Sequence, residues 1–241
     1  MEPRTSVINK RLQSVQRIIA VASGKGGVGK SLVASGLALS LAKKGHKVGL
    51  FDLDLYGPSS HIILGVTDAF PKEENGLIPP VVHGIKFMSI VYFTEEKPSP
   101  FRGIDITNII LELLAITQWG TLDYLIIDMP PGIGDETLDV IRFIGRNEFL
   151  VVTTPSKVAM GAVKKLLVLL KELKKPVLGV LENMVMSDSS YTEKEVRNLK
   201  LPYLGKIAFD EHLEDAIGDP DRLATINFMK QLEGVIRKIH L

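Results

Sequence analysis

Gly24-Lys25-Gly26-Gly27-Val28-Gly29-Lys30-Ser31 has the spacing G-x-x-x-x-G-K-S, in which glycines let backbone N–H groups turn inward around a phosphate. The chemistry implied is binding of Mg-ATP by its β- and γ-phosphates. Lys30 is expected to reach both phosphates and Ser31 to offer its hydroxyl to Mg²⁺, with Leu32 continuing into a helix whose N-terminus adds positive charge. A glycine-rich turn that binds nothing would explain the composition but not the context. The apolar run Ile18-Ile19-Ala20-Val21-Ala22 leads into the loop as a strand, and a helical period leaves it.

Carboxylates close two later apolar runs, Phe51-Asp52-Leu53-Asp54 and Leu125-Ile126-Ile127-Asp128. The carboxyl ends of parallel strands are where such sheets bind ligands. Asp128 is expected to hold Mg²⁺, directly or through water, and Asp52 is a candidate for its outer shell. Pro130, Pro131, Gly132 and Gly134 follow Asp128 and fix a turn whose glycine amides are expected to sense the γ-phosphate; a loop that simply starts a helix at Asp135 with an N-cap would explain Asp135 but not the whole run. Asn183 ends another strand, where its amide can pair with the adenine edge through one donor and one acceptor, although a turn residue would look the same. His46, His61, His83, His212 and His240 lack i, i+3 or i, i+4 partners for a metal, and Met184 and Met186 read as gap fillers.

Apolar runs alternate with helix-period segments, the pattern of βαβ units. Strands are predicted at about 17–22, 47–52, 86–91, 123–128, 148–153, 176–181 and 203–207, and helices at about 29–44, 104–117, 135–145, 157–174 and 221–240. The fold class is α/β: a single doubly wound, mostly parallel sheet flanked by helices, spanning 1–241. Residues 1–16 read as an N-terminal extension, 68–84 as a surface excursion and 185–201 as a variable loop.

The 241 residues are 45% apolar and 24% charged, the composition of an ordinary globular chain. Lys and Arg number 29 against 28 Asp and Glu, a net charge of +1, so no long-range field attracts nucleic acid or an anionic membrane. The apolar run before the loop is too short for a secretory signal, and Val158–Leu173 is interrupted by Lys164, Lys165 and Lys171. A cytoplasmic protein is expected, with neither nucleic-acid nor membrane partners. There are no cysteines, so the chain has no disulfide, thiol nucleophile or thiolate metal ligand.

A second lysine in the loop, Lys25, gives the deviant Walker A signature. Together with Asp52-Leu53-Asp54-Leu55-Tyr56-Gly57-Pro58-Ser59, Asp128-Met129-Pro130-Pro131-Gly132 and Glu182-Asn183-Met184, it makes most of the chain resemble the Mrp/ApbC branch of the MinD/ParA group. The resemblance implies a slow, dimerisation-dependent ATPase forming an ATP-sandwich homodimer. Lys25 would cross to the partner's nucleotide, and Asp54 would orient the attacking water and join Ser31 and Asp128 at the magnesium. It also implies service in iron–sulfur cluster assembly or transfer, with iron–sulfur client proteins. Members that carry clusters have Cys-x-x-Cys after the Glu-Asn-Met element; here Met184 runs to Pro202 without one. A [4Fe-4S] cluster or Zn²⁺ would require cysteines that this sequence does not contain.

The alternative is a MinD- or ParA-like positioning ATPase that binds membrane or DNA. Leu223, Ile226, Met229, Leu232, Val235, Ile236 and Ile239 recur at helical spacing beside Lys230, Arg237 and Lys238, as an interfacial helix would. A last helix packed on the sheet presents the same stripe. A metabolic kinase would need an acceptor pocket that no motif marks.

Overall fold

Strands that are apolar on both faces need cover on both sides, and the computed structural model supplies it. It describes residues 4–94, 103–187 and 189–241. The strands are β1 (Val15–Ser23), β2 (Val48–Asp52), β3 (Lys72–Glu73), β4 (Leu77–Ile78), β5 (Val81–Val82), β6 (Ile85–Ser89), β7 (Leu122–Asp128), β8 (Asn147–Thr153), β9 (Val177–Val185) and β10 (Tyr203–Ala208). The helices are α1 (Arg4–Leu12), α2 (Lys30–Lys43), α3 (Ser60–Ile63), α4 (Val91–Thr94), α5 (Gly103–Ile116), α6 (Asp135–Phe143), α7 (Lys157–Glu172), α8 (Tyr191–Asn198), α9 (Pro220–Leu223) and α10 (Asn227–Lys238).

One eight-stranded sheet runs in the order β10-β9-β8-β1-β7-β2-β6-β5, parallel except for the β5–β6 pair. Alternate residues feed two cores. Ile18, Ala20 and Ala22 of β1 face the layer containing α1, α5, α6 and α7, whereas Ile19 and Val21 face α2 and α10. The doubly wound sheet expected from the sequence is therefore present. Helix α2 is buried along most of its length because α10 covers its outer side. Gly36 permits that approach: a Cβ there would lie 2.8 Å from Leu232 Cδ2.

Four segments hold structure that the sequence did not show. Residues 4–12 of the extension form a helix whose Ile8 and Leu12 are buried, and Arg4 donates to Asn108 Oδ1 on α5 at 3.0 Å. The 68–84 excursion is tied down by the β3–β4 pair, the β5 edge, and a hydrogen bond from the Gln118 amide to Leu77 O at 2.8 Å.

The variable loop 185–201, of which Asp188 lies outside the described residues, holds helix α8. The buried Glu182 carboxylate on β9 anchors that helix, accepting from Thr192 Oγ1 at 2.5 Å and from Tyr203 Oη on β10 at 2.7 Å. The single helix expected at 221–240 is two. Ile226 is extended at ψ 163°, and Asp210 Oδ2 accepts from the Phe228 amide at 2.9 Å, so α10 starts anew.

Phe228, Met229, Leu232, Val235 and Ile236 are buried. The stripe suggestive of a membrane surface is thus an interior contact with α2 and β10. Among the described residues, no helix is long and apolar enough to cross a membrane.

Candidate functional site

β1 delivers the chain to the loop and α2 carries it away, so Gly24–Ser31 lies at the carboxyl end of the central strands. Gly27 and Gly29 have φ of 76° and 81°, a left-handed conformation that glycine adopts without Cβ strain. Gly24 is needed for another reason. A Cβ there would lie 2.5 Å from Val163 N on α7, so the helix backbone closes directly on the loop. Ser23 Oγ donates to Lys25 O at 2.9 Å and braces the first turn.

The loop lines a cavity of about 290 Å³ together with Ser23, Ser31, Leu32, Asp54, Gly57, Ser59 and Pro131. Lys30 is only 5% exposed; its Nζ lies 2.5 Å from Asp128 Oδ1 and 3.6 Å from Asp54 Oδ2. Val28 is buried beneath the loop, and Lys25 is exposed at its rim. Lys30, Ser31, Asp54 and Asp128 therefore meet in one place.

Strand register creates this meeting, since Asp52 at the end of β2 pairs with Asp128 at the end of β7. Both are fully buried. Burial foremost, then the Asp128 charge, pushes Asp52 up to about 7 from its ordinary 3.8. Burial likewise raises Asp128, against the opposing pull of Lys30.

A carboxyl raised in the folded state contributes stability that is fully present below its unfolded value and is lost as pH rises through the folded one. Between about pH 4 and pH 7, Asp52 should therefore make the protein without nucleotide less stable by on the order of a few kcal/mol. Urea midpoints measured across that window should fall with rising pH, and Asp52→Asn should flatten the fall, leaving the share due to Asp128. An equally steep fall in the variant would remove Asp52 as its source.

Other expected site residues make protein contacts that the sequence did not show. Asp52 turns away from the cavity, accepting from the Asp54 amide at 3.1 Å and the Ser60 amide at 3.2 Å. Asn183 is 2% exposed and donates Nδ2–H to Val28 O at 3.0 Å, so it braces the loop from behind. Pro130 and Gly132 accept from Thr137 Oγ1 through their carbonyls. The Gly132 amide donates to Ser23 O at 3.0 Å, so it can sense a γ-phosphate only if that bond breaks. Helix α6 starts at Asp135, with Gly134 as its N-cap at an extended ψ of 176°.

Sequence reasoning assigned no role to Ser60, whose Oγ donates to Asp128 Oδ2 at 3.3 Å, or to Glu136, whose Oε1 accepts from Tyr56 Oη at 3.5 Å. Ser60 directly follows the Asp52–Ser59 run, but its partners lie at strand ends, one of them 68 residues away.

The donor set fits Mg²⁺. The hydroxyl of Ser31 and the carboxylates of Asp128 and Asp54 are hard oxygen ligands at a phosphate loop, and Mg²⁺ takes one or two carboxylates plus phosphates and water. Asp128 also accepts a hydrogen bond from the Ser31 side chain. A cluster does not fit, because no cysteine exists to ligate it.

A parallel sheet, a glycine loop opening α2, and a buried lysine between strand-end carboxylates define a P-loop NTPase. The model of the NUBPL iron-transfer P-loop NTPase family, of the ParA type, matches residues 14–239. The chain belongs to that family.

Among curated relatives, the iron–sulfur cluster carrier proteins of Pseudomonas fragi and Aquifex aeolicus are 41% and 42% identical over 179 and 183 residues. Each match covers 73% of this chain, but only 62% and 49% of those relatives, so the chain spans about half to three-fifths of their length. The Methanocaldococcus jannaschii iron–sulfur cluster carrier protein is 35% identical over 255 positions, covering 96% of this chain and 88% of the relative. Among solved structures, a nucleotide-binding protein from Archaeoglobus fulgidus, in complex with ADP, has a TM-score of 0.78 at 33% identity, with 92% and 93% coverage. The septum site-determining protein MinD of Pyrococcus horikoshii, at 19% identity and TM-score 0.72, shares the fold; 94% of this chain and 96% of MinD are covered.

Proposed function

We propose that this chain binds Mg-ATP in the P-loop cavity and hydrolyses it as a two-fold sandwich dimer whose nucleotide state serves iron–sulfur cluster assembly or transfer. The observation that carries the reading is the Lys30 ammonium, buried between Asp128 and Asp54 while Lys25 stands exposed at the cavity rim. Lys30 meets the β- and γ-phosphates. Ser31 and Asp128 hold Mg²⁺, Asp54 orients the attacking water, and Lys25 reaches the partner's nucleotide as a cation delivered in trans. The acceptor and second N–H of Asn183 serve the adenine edge while its first N–H keeps the loop braced.

The cluster itself is cargo for which this chain offers no thiolate. The M. jannaschii match runs over 255 positions, more than the 241 residues here, so that relative carries residues this chain lacks. The ATPase therefore acts on iron–sulfur client proteins without holding the cluster on its own side chains.

Two measurements test this together. Hydrolysis per subunit should rise with protein concentration as dimers form, and activity independent of concentration would exclude the sandwich. Anaerobic reconstitution with iron and sulfide should leave no cluster absorbance. A chain with Cys-x-x-Cys inserted between Met184 and Ser187 should acquire it at a dimer interface. A stoichiometric cluster on the cysteine-free chain would overturn the ligand argument.

A further inference from the structure

Among the described residues, Ser60 is the one that bonds to both strand-end carboxylates. Its amide donates to Asp52 Oδ2 at 3.2 Å and its hydroxyl to Asp128 Oδ2 at 3.3 Å. Lys30 takes the other oxygen of Asp128, at 2.5 Å. Lys30 and Ser60 thus hold opposite oxygens, and with the Ser31 side chain as a further donor the plane of the Asp128 carboxylate is fixed. Ser60 itself has no exposed surface.

The position of Ser60 is set from elsewhere. It begins α3, and the far end of that helix is tied to a different part of the chain: the Gly218 amide donates to Ile63 O at 3.2 Å. Next to it, Gly65 meets the Gly218 backbone so closely that a Cβ would lie 2.2 Å from Gly218 O. Ile63 and Leu64 are buried in the core beside α2. The helix is therefore held independently of the carboxylates, so Ser60 orients Asp128 rather than being oriented by it.

We infer that Ser60 is a positioning residue for the magnesium site, its hydroxyl holding Asp128 in the orientation that Mg²⁺ requires. The inference rests on the Mg-ATP reading above and adds to it a residue from outside the phosphate loop and the strand ends. Mg²⁺ demands near-ideal octahedral geometry and tolerates little displacement of a ligand or of the water it holds. Without the hydroxyl, Asp128 Oδ2 is buried without that donor, and the carboxylate is free to swing toward the point charge of Lys30. Mg²⁺ then has to reverse that swing when it binds.

The test is calorimetric ADP binding to the full chain over a series of Mg²⁺ concentrations. Ser60→Ala should bind ADP in EDTA as the parent does, but should need on the order of ten- to a hundredfold more Mg²⁺ to reach half its magnesium-dependent gain, the scale of one hydrogen bond to a charged group. Ser60→Thr retains the hydroxyl and should restore the parental magnesium dependence, an effect that a packing role would not produce. Unchanged Mg²⁺ dependence in Ser60→Ala, or an equal shift in Ser60→Thr, would overturn the inference. If Ser60→Ala does not fold, Ser60→Cys, a weak donor of similar size, undergoes the same comparison. A parent chain that binds no ADP at all would instead sink the Mg-ATP reading, and this inference with it.

Discussion

Lys30→Ala should lose Mg-ATP affinity by about 2–5 kcal/mol, roughly 30-fold to several thousandfold, as expected when one partner of a buried, hydrogen-bonded charge pair is truncated. The lysine does more than attract phosphate. Its ammonium lies 2.5 Å from Asp128 and 3.6 Å from Asp54, and it opposes the raising of both Asp52 and Asp128. Without it, an incoming triphosphate meets buried carboxylates with no intervening cation, so repulsion adds to the lost attraction. Calorimetry of folded variant against parent at constant Mg²⁺ measures the loss. Titration below neutral pH provides the control, since protonation of Asp52 and Asp128 should return part of the variant's stability. Parental affinity in a folded Lys30→Ala chain would show that ATP binds elsewhere.

Lys25→Ala should bind Mg-ATP nearly as the parent does yet hydrolyse it slower by on the order of 10³-fold, the lower range for a cation supplied in trans to phosphoryl transfer. Lys25 sits at the exposed rim of the cavity, where its side chain is available to a second subunit. Asp54→Ala should also bind without turning over, because it removes the group assigned to the attacking water. The decisive measurement mixes these two inactive variants. If Lys25 acts across the interface, each mixed dimer has one complete site, formed by Asp54 of the Lys25→Ala subunit and Lys25 of the Asp54→Ala subunit. Random pairing in a two-fold dimer then restores roughly a quarter of the parental sites. If Lys25 acts within its own subunit, every site lacks one of the two groups and mixing restores nothing.

Much of this site was legible before any coordinates because its signals are local. Gly27 and Gly29 must adopt left-handed backbone, and only their residue type is needed to permit it. An apolar run that stops at Asp128 places a carboxylate at a strand end wherever that strand lies in the sheet. The same locality makes boundaries fallible. The apolar period from Leu223 to Ile239 continues through Ile226, but the break there comes from Asp210, a residue outside the stretch.

What the sequence determined by itself was the phosphate loop, the strand-end acids and the α/β class, each encoded by neighbours in the chain. The tertiary structure alone decided the pairings. Asp52 faces Asp128 only because β2 and β7 are adjacent in that register, which brings two carboxylates together in the interior and pushes Asp52 up to about 7. Likewise, Asn183 braces Val28 from 155 residues away, Ser60 bridges to Asp128 across 68, and α7 closes on the loop at Gly24. These contacts follow from strand order and helix placement. Residue type and local periodicity set an element's conformation, not the elements that will stand beside it.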